Sequence, residues 1–427
     1  MKELKTLIGI LLLRAISIIS TFIISMLLSN YYLDTEEFAL YNYLFSIVSF
    51  SVVISYFGLN TSLVRQLPRI IEKKLKSQKI FQISFYTISI SLVIVLFLII
   101  INFYFNQNQN IYMLASIVPI VGFKIFGFSL QGFKRQIQSI FFDRLILNSL
   151  IIISFFLAFN FFGLKSNFKI VSQIFLICSS ITFMFTLIKF NETKFDYSLI
   201  NFNSFKKEIS NAFQLFINSG LGSFISNLPI LILGIISFND IAFIVPALKI
   251  ITIGSLILSS INIYLRPYIS EHYQNKKIKK LNEIYSKVIA CNLVIGILFV
   301  TTILISGKYL LSLWGLEYAN KGELFLYIVI FQSFINLIFG PGGAFLNMMG
   351  FEKKERSSNI YFITSYITTQ FIFYLLKMEI LTSTAISMVI SSLVQNLIRY
   401  YYVSKILIIK KNDIICSYRK MWRDINT

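Results

Sequence analysis

The segment from Asn239 to Leu281, NDIAFIVPALKIITIGSLILSSINIYLRPYISEHYQNKKIKKL, decides the fold of this chain. Between Ile241 and Leu265 it is apolar, apart from one lysine and several small polar residues. A helix rises about 1.5 Å per residue, so this stretch is long enough to cross a bilayer core of roughly 30 Å. It therefore predicts a membrane-spanning helix. We expect that helix to end at Arg266-Pro267, because proline disfavours continuation.

One face of this predicted helix is polar. Its polar residues follow each other at steps of three or four: Lys249, Thr252, Ser255, Ser259, Asn262 and Arg266. That spacing puts them on a single helix face, with Ile and Leu on the others. A polar face that contains a lysine is costly to leave against lipid. It predicts contact with other protein or with a watery cavity.

The same pattern occurs earlier in the chain, at an offset of 203 from position 37 to position 240. Glu37 then corresponds to Asp240. In both copies the acid is followed by an apolar span, an arginine with a proline, and a basic run. The same features in the same order predict two related halves.

Composition assigns the chain to a broad class. Of its 427 residues, 56% are hydrophobic, 16% aromatic and only 14% charged, which is typical of an all-α polytopic membrane protein. The net charge of +20 would suggest nucleic acid in a soluble protein, but here the cations lie between apolar spans. Membrane topology is the better explanation, and we expect no nucleic-acid partner.

We count twelve apolar spans, and the distribution of cations orients them. Five of the 39 Lys and Arg lie in the loops of one side and two lie inside spans, which leaves 32 on the other side. Because Lys and Arg stay cytoplasmic, both termini are predicted to be cytoplasmic. The spans are 7–28, 38–59, 80–102, 111–131, 143–163, 168–189, 211–236, 240–265, 285–305, 322–345, 358–377 and 381–404.

These spans divide into two predicted lobes of six helices each. The N-terminal lobe covers 1–190, a cytoplasmic linker 191–210, the C-terminal lobe 211–406, and a basic cytoplasmic tail 407–427. We expect the tail to rest on anionic lipid. The loops of the opposite side are too short to hold a catalytic domain.

Charges inside the spans mark a candidate site. Each lysine at the bilayer centre costs roughly 2.5–3.5 kcal/mol on insertion scales, and we expect no acid in a span interior to offset it. Such a site prefers an anion, for which phosphate or pyrophosphate is the obvious candidate. The candidate cavity cations are Lys249, Lys124 and Arg14, and the candidate polar lining is Asn218, Gln214, Asn262, Ser259 and Thr252.

Plainer interpretations remain open beside this one. The side chain of Lys124 or of Lys249 can extend along the helix to the membrane interface, and a polar stripe can form hydrogen bonds that hold helices together. Packing is at least as good an account of the tenth span, with its Gln332, Asn336, Gly340, Gly343 and Asn347. We expect Arg65, Arg266 and Arg399 to be interfacial anchors.

Enzymatic functions find little support. The single histidine, His272, is expected in a solvated loop, and the three cysteines form no metal or disulfide pattern. There is no Ser/His/Asp set and no phosphate loop. We expect no metal and no cofactor.

Three motifs resemble the polysaccharide flippases of the MOP superfamily, the Wzx type. The first is Glu37-Phe-Ala-Leu-Tyr41 with Gly58-Leu59; the second is Ala247-Leu-Lys249 with Arg266-Pro267-Tyr-Ile-Ser270; the third is GKYLLSLWGLEYANKGELFLYI, Gly307 to Ile328, with Phe345 to Lys353. The resemblance implies a V-shaped pair of lobes in the inner membrane of a bacterium, and alternating access. It also implies a polyprenyl-pyrophosphate-linked oligosaccharide as substrate, an O-antigen or capsule repeat unit for lipopolysaccharide or capsule synthesis, and a polysaccharide polymerase as a partner.

Other classes stay open. MATE-type multidrug or cation exporters of the superfamily commonly carry an acid inside the first lobe, and the matching spans here have none. Lipid II flippases commonly have fourteen spans, whereas this chain has room for twelve. Membrane polymerases and ligases of lipid-linked sugars usually have one long periplasmic loop, which is absent from this sequence.

Overall fold

A computed structural model of the chain describes residues 2–104, 110–133, 135–191 and 202–408. Every regular element in these ranges is a helix, which confirms the all-α prediction. The helices are α1 (Lys2–Leu27), α2 (Thr35–Tyr56), α3 (Leu59–Gln66), α4 (Lys73–Tyr104), α5 (Ile111–Ala115), α6 (Ile117–Gly132), α7 (Gln136–Ile140), α8 (Ile146–Phe155), α9 (Phe168–Asn191), α10 (Phe202–Ile236), α11 (Asp240–Gln274), α12 (Ile278–Ser312), α13 (Leu316–Phe339), α14 (Pro341–Met348), α15 (Glu352–Leu375) and α16 (Ile380–Leu407). Single π turns extend α1 through Leu28–Tyr32, join α7 to α8 through Phe141–Leu145 and extend α8 through Phe156–Phe161, and a 3₁₀ turn, Leu67–Arg69, follows α3.

Ten helical segments in the described ranges are long and apolar enough to cross a membrane, so the chain is a multi-pass membrane protein. The two remaining predicted spans correspond to α11 and α15, which are 35 and 24 residues long. Twelve crossings with both termini on one side remain a prediction. The tail beyond Ile408 and residues 192–201 of the predicted linker lie outside the described residues.

The chain forms two compact units, Met1–Ile241 and Ala242–Thr427. The second half of the predicted linker is helical, because α10 begins at Phe202. Helix α10 packs against α2 and α3 within the first unit, whereas the sequence placed its span in the C-terminal lobe. The assignment of α10 to a functional lobe remains a prediction.

The tight turn between α2 and α3 lies in close contact with α10. Gly58 has a φ of 76°, and a Cβ at that position would lie 2.4 Å from the carbonyl oxygen of Ala212 on α10. Beside it, the ring of Phe57 stacks on that of Phe216 at 4.4 Å. Glycine is required here because it alone combines a positive φ with the absence of a side chain.

In the second unit, a proline interrupts the helix between α13 and α14, and we call this interruption the break. Pro341 begins α14 and has no N–H to donate to the carbonyl of Leu337, four residues earlier. The side-chain amide of Asn292 on α12 donates to that carbonyl instead, at 2.8 Å, and Asn292 is fully buried. The aromatic core lies beyond the break, where Tyr285 and Phe345 meet edge to face at 4.8 Å.

Two local expectations are wrong. Helix α11 continues through Pro267 to Gln274 instead of ending at Arg266-Pro267. A membrane helix tolerates proline when neighbouring groups satisfy the freed backbone. His272 therefore lies in the last turn of α11, where it is only 8% exposed, and not in a solvated loop.

The two acids of the predicted repeat have different roles. The carboxylate of Glu37 accepts from the backbone N–H of Phe168 at 3.0 Å, at the start of α9. That of Asp240 accepts from the hydroxyl of Ser237 at 2.6 Å, at the start of its own helix. Helix α2 also stops before Gly58, whereas α11 is continuous over the corresponding positions. A common origin of the halves remains a prediction.

Candidate functional site

The polar stripe of α11 surrounds one lysine. Lys249 is half-buried, and no carboxylate of the described residues lies within 4 Å of its ammonium. One turn later the hydroxyl of Thr252 donates to the carbonyl of Lys249 at 2.5 Å. The stripe therefore carries a positive charge that the described part of this unit does not neutralise.

The hydroxyls of the stripe can accept hydrogen bonds from a ligand but have no proton left to donate. Ser255 donates to the carbonyl of Thr252 at 2.7 Å, and Ser259 donates to that of Leu256 at 2.9 Å. Each hydroxyl has one proton, so these residues retain only lone pairs for a ligand. The carbonyl oxygen of Asn262 is buried and has no hydrogen-bond partner in the described structure. The charged donors of this stripe are thus the ammonium of Lys249 and, at its far end, the guanidinium of Arg266.

A second polar stripe lies on α10, in the first unit. Gly222 and Ser226 are exposed, and a Cβ at Gly222 would have open space around it. Phe216 and Gly234 lie on a different face of the helix, which packs against α2 and the turn that follows it. Asn218 is half-buried on the polar side. The side chain of Gln214 lies outside the described set, so its lining role remains a prediction.

The third candidate, Lys124 on α6, has an acidic neighbour. Its ammonium lies 3.7 Å from the carboxylate of Asp143, and both side chains are about one-third exposed or less. Asp143 lies inside the candidate span Gln136–Phe161. The expectation that no acid lies in a span interior is therefore wrong. Lys124 contributes less net positive charge than Lys249 does.

Arg14 is half-buried on α1, also in the first unit. Nearby on the same helix, the hydroxyl of Ser20 accepts from the amide of Asn148 at 2.7 Å. Part of the polar face of α1 is thus used for packing against α8. The structure places Arg14 and Lys124 in one unit and Lys249 in the other.

The polar residues of the tenth span hold helices together. The side-chain oxygen of Asn336 on α13 accepts from Ser392 at 3.0 Å and from Asn396 at 2.8 Å, both on α16. Interhelical hydrogen bonds of this kind are common in membrane proteins. They support the packing interpretation of this span over the cavity interpretation.

Comparison with known proteins yields matches in structure alone. No family model matches the chain, and no curated protein matches it. An inward-facing multidrug resistance MATE family transporter of the MOP superfamily superposes with a TM-score of 0.74 at 14% identity, over 90% of this chain and 92% of that one. The lipid II flippase MurJ, in an inward closed conformation, gives 0.69 at 13% identity, over 96% and 90%.

A MOP superfamily transporter from Pyrococcus furiosus, described as having a binding pocket of reversed polarity, gives a TM-score of 0.66 at 13% identity, over 94% of each chain. The chain has the fold of the MOP-superfamily transporters. That fold is confirmed, and it is the fold implied by the motifs at Glu37, Lys249 and Gly307. At identities of 13–14%, the structural similarity shows the fold but does not identify the substrate.

Within this MOP-superfamily fold there is a buried ion pair that was not predicted from the sequence. Glu355 on α15 is 6% exposed, and its carboxylate accepts two hydrogen bonds from the guanidinium of Arg399 on α16. Asn359 accepts from Arg399 at 3.1 Å and from Gln395 at 2.8 Å. Arg399 is thus paired inside the unit and is not an interfacial anchor. The matching steps of four, from 355 to 359 and from 395 to 399, were the available signal.

Proposed function

We propose that the chain is a flippase for a polyprenyl-pyrophosphate-linked oligosaccharide, an O-antigen or capsule repeat unit. It would move this lipid from the cytoplasmic to the outer leaflet of a bacterial inner membrane by alternating access. It would act without enzymatic chemistry and without a cofactor. A polysaccharide polymerase would then use the flipped repeat unit.

The observation that carries this proposal is Lys249. A half-buried lysine on a predicted membrane helix, with no carboxylate partner among the described residues, selects for an anion. A charge-assisted hydrogen bond from its ammonium to a phosphate oxygen contributes roughly 1.5–3 kcal/mol. A ligand shifts a conformational equilibrium by its differential affinity for the two states, so this contact is large enough to bias alternating access.

The neighbouring hydroxyls fit the other part of such a substrate. Because Thr252, Ser255 and Ser259 donate to their own helix, they offer acceptors to a ligand. Sugar hydroxyls are donors and can bind to these acceptors, whereas a phosphate, which only accepts, cannot. We assign the pyrophosphate to Lys249 and the first sugar to the turns that follow it.

The test is complementation of a strain that lacks its own flippase. Lys249→Arg keeps the charge and should retain much of the surface polysaccharide, whereas Lys249→Ala and Lys249→Glu should lose it. Lys165→Glu is the matched control, because it makes the same charge change at an exposed loop residue. Membrane protein levels are measured in parallel. Normal polysaccharide from a well-expressed Lys249→Glu protein would contradict the proposal.

One observation favours a second candidate, a MATE-type multidrug or cation exporter. Asp143 places a carboxylate inside a candidate span of the first unit, 3.7 Å from the ammonium of Lys124. A carboxylate inside a membrane span attracts a cationic drug or a coupling ion. Drug-resistance assays with Asp143→Asn separate the candidates, because an exporter would lose resistance while Lys249→Glu would leave it intact.

A further inference from the structure

The break between α13 and α14 lies against the buried ion pair of the second unit. Helix α14 packs against α12, α13, α15 and α16. Its first turn is Pro341-Gly342-Gly343. A Cβ at Gly343 would lie 3.1 Å from a carboxylate oxygen of Glu355, and one at Gly342 would lie 3.3 Å from the Cβ of Arg399. The two glycines therefore let the start of α14 approach both members of the pair.

The backbone is weak at this break. Pro341 cannot donate to the carbonyl of Leu337, which is satisfied from another helix by Asn292 at 2.8 Å. Two successive glycines then add backbone freedom. Helices bend most often at prolines and at pairs of small residues, and this segment contains both.

The ion pair beside this break is held by several hydrogen bonds. Glu355 and Arg399 make two hydrogen bonds to each other, and Asn359 and Ser358 bond to the same two side chains. Breaking a buried pair by removing one partner leaves an uncompensated charge, so the pair resists separation. It joins α15 to α16 directly beside the start of α14.

We propose that the α13–α14 break is a hinge and that the Glu355–Arg399 pair is the lock that holds α14 in its packed position. Glu355 and Arg399 are positioning residues in this scheme. The carboxylate also lies beside the positive N-terminal end of α14, which adds to the attraction. The hinge is a conformational device of the second unit and does not depend on the nature of the transported substrate.

The test measures the accessibility of a cysteine on each side of the hinge, in a protein whose native cysteines are replaced. Leu346→Cys is the α14 reporter, and Ile330→Cys, before the break, is the α13 reporter; both native side chains are fully buried. Each reporter is labelled with N-ethylmaleimide in native membranes. The lock is weakened by Glu355→Gln, which keeps the shape and removes the charge. Arg399→Lys weakens it while keeping both charges, because a lysine cannot make the two-pronged contact that the guanidinium makes.

In both variants we expect labelling of the α14 reporter to accelerate at least about tenfold, because opening of α14 exposes its buried face, while the α13 reporter keeps its wild-type rate. Glu317→Gln is the matched control, since it removes the acid of an exposed pair with Lys321, and it should change neither rate. Continued protection of the α14 reporter in both variants, or equal acceleration of the α13 reporter, would overturn the proposal. If Glu355→Gln does not insert, the result for Arg399→Lys is sufficient to support or overturn the proposal. The readout contains no substrate, so its failure is separate from failure of the flippase proposal.

Discussion

The role of Asn292 at the proline break makes a quantitative prediction. Asn292 is fully buried, and its amide is the hydrogen-bond donor that the structure assigns to the carbonyl of Leu337. Asn292→Leu keeps a similar volume and leaves that carbonyl unsatisfied. An unpaired buried polar group costs about 1–3 kcal/mol, and the substitution also removes the buried side-chain oxygen of Asn292, which has no partner in the described structure; we therefore expect the free energy of unfolding to fall by less than that full amount. The cost should shrink in a Pro341→Ala background, where the introduced alanine supplies the missing backbone N–H.

This double-mutant cycle is measured by unfolding the purified protein in mixed micelles with increasing SDS. We expect a coupling free energy of about 1 kcal/mol or more between the two positions. Asn275→Leu, at an exposed asparagine, is the control in both backgrounds and should show no coupling. Additive effects of Asn292→Leu and Pro341→Ala would refute the account of the break.

Further predictions concern packing, charge and topology. Gly58→Ala should reduce the free energy of unfolding by about 1–3 kcal/mol, because its Cβ would meet the Ala212 carbonyl at 2.4 Å and φ is 76°; an unchanged SDS midpoint would contradict this. Asp143→Asn should reduce the free energy of unfolding, because it removes the negative charge that faces Lys124 at 3.7 Å, and an unchanged SDS midpoint would contradict this. Reporter fusions test the topology, and two swapped sites would refute it. We expect a periplasmic signal at Lys165, Asn239 and Lys377, and a cytoplasmic signal at Lys76, Lys279 and Glu352.

The sequence predicted the helices well, because a membrane span must satisfy its own backbone and so shows as a long apolar run. It failed where the outcome depends on neighbouring helices. Pro267 would end an isolated helix, yet α11 continues to Gln274. Composition alone does not show which surroundings compensate for the lost hydrogen bond.

The candidate site was predictable only in part. The spacing of the α11 stripe around Lys249 follows from the helical period, and the structure retains it. Pairing between helices depends on their rotation and depth, which a single chain does not encode in any local pattern. For that reason the contact of Asp143 with Lys124 was visible only in three dimensions, and the steps of four around Glu355 and Arg399 did not by themselves show that the two residues pair.

The central claim is that Lys249 binds the pyrophosphate of a lipid-linked oligosaccharide during its movement across the membrane. The most direct measurement is translocation of a fluorescent polyprenyl-pyrophosphate-linked oligosaccharide in proteoliposomes of the purified protein. We expect transfer between leaflets at rates well above protein-free vesicles for the wild type and for Lys249→Arg, and at the protein-free rate for Lys249→Glu. Equal rates for the wild type and Lys249→Glu, or a wild-type rate no higher than that of protein-free vesicles, would contradict the claim.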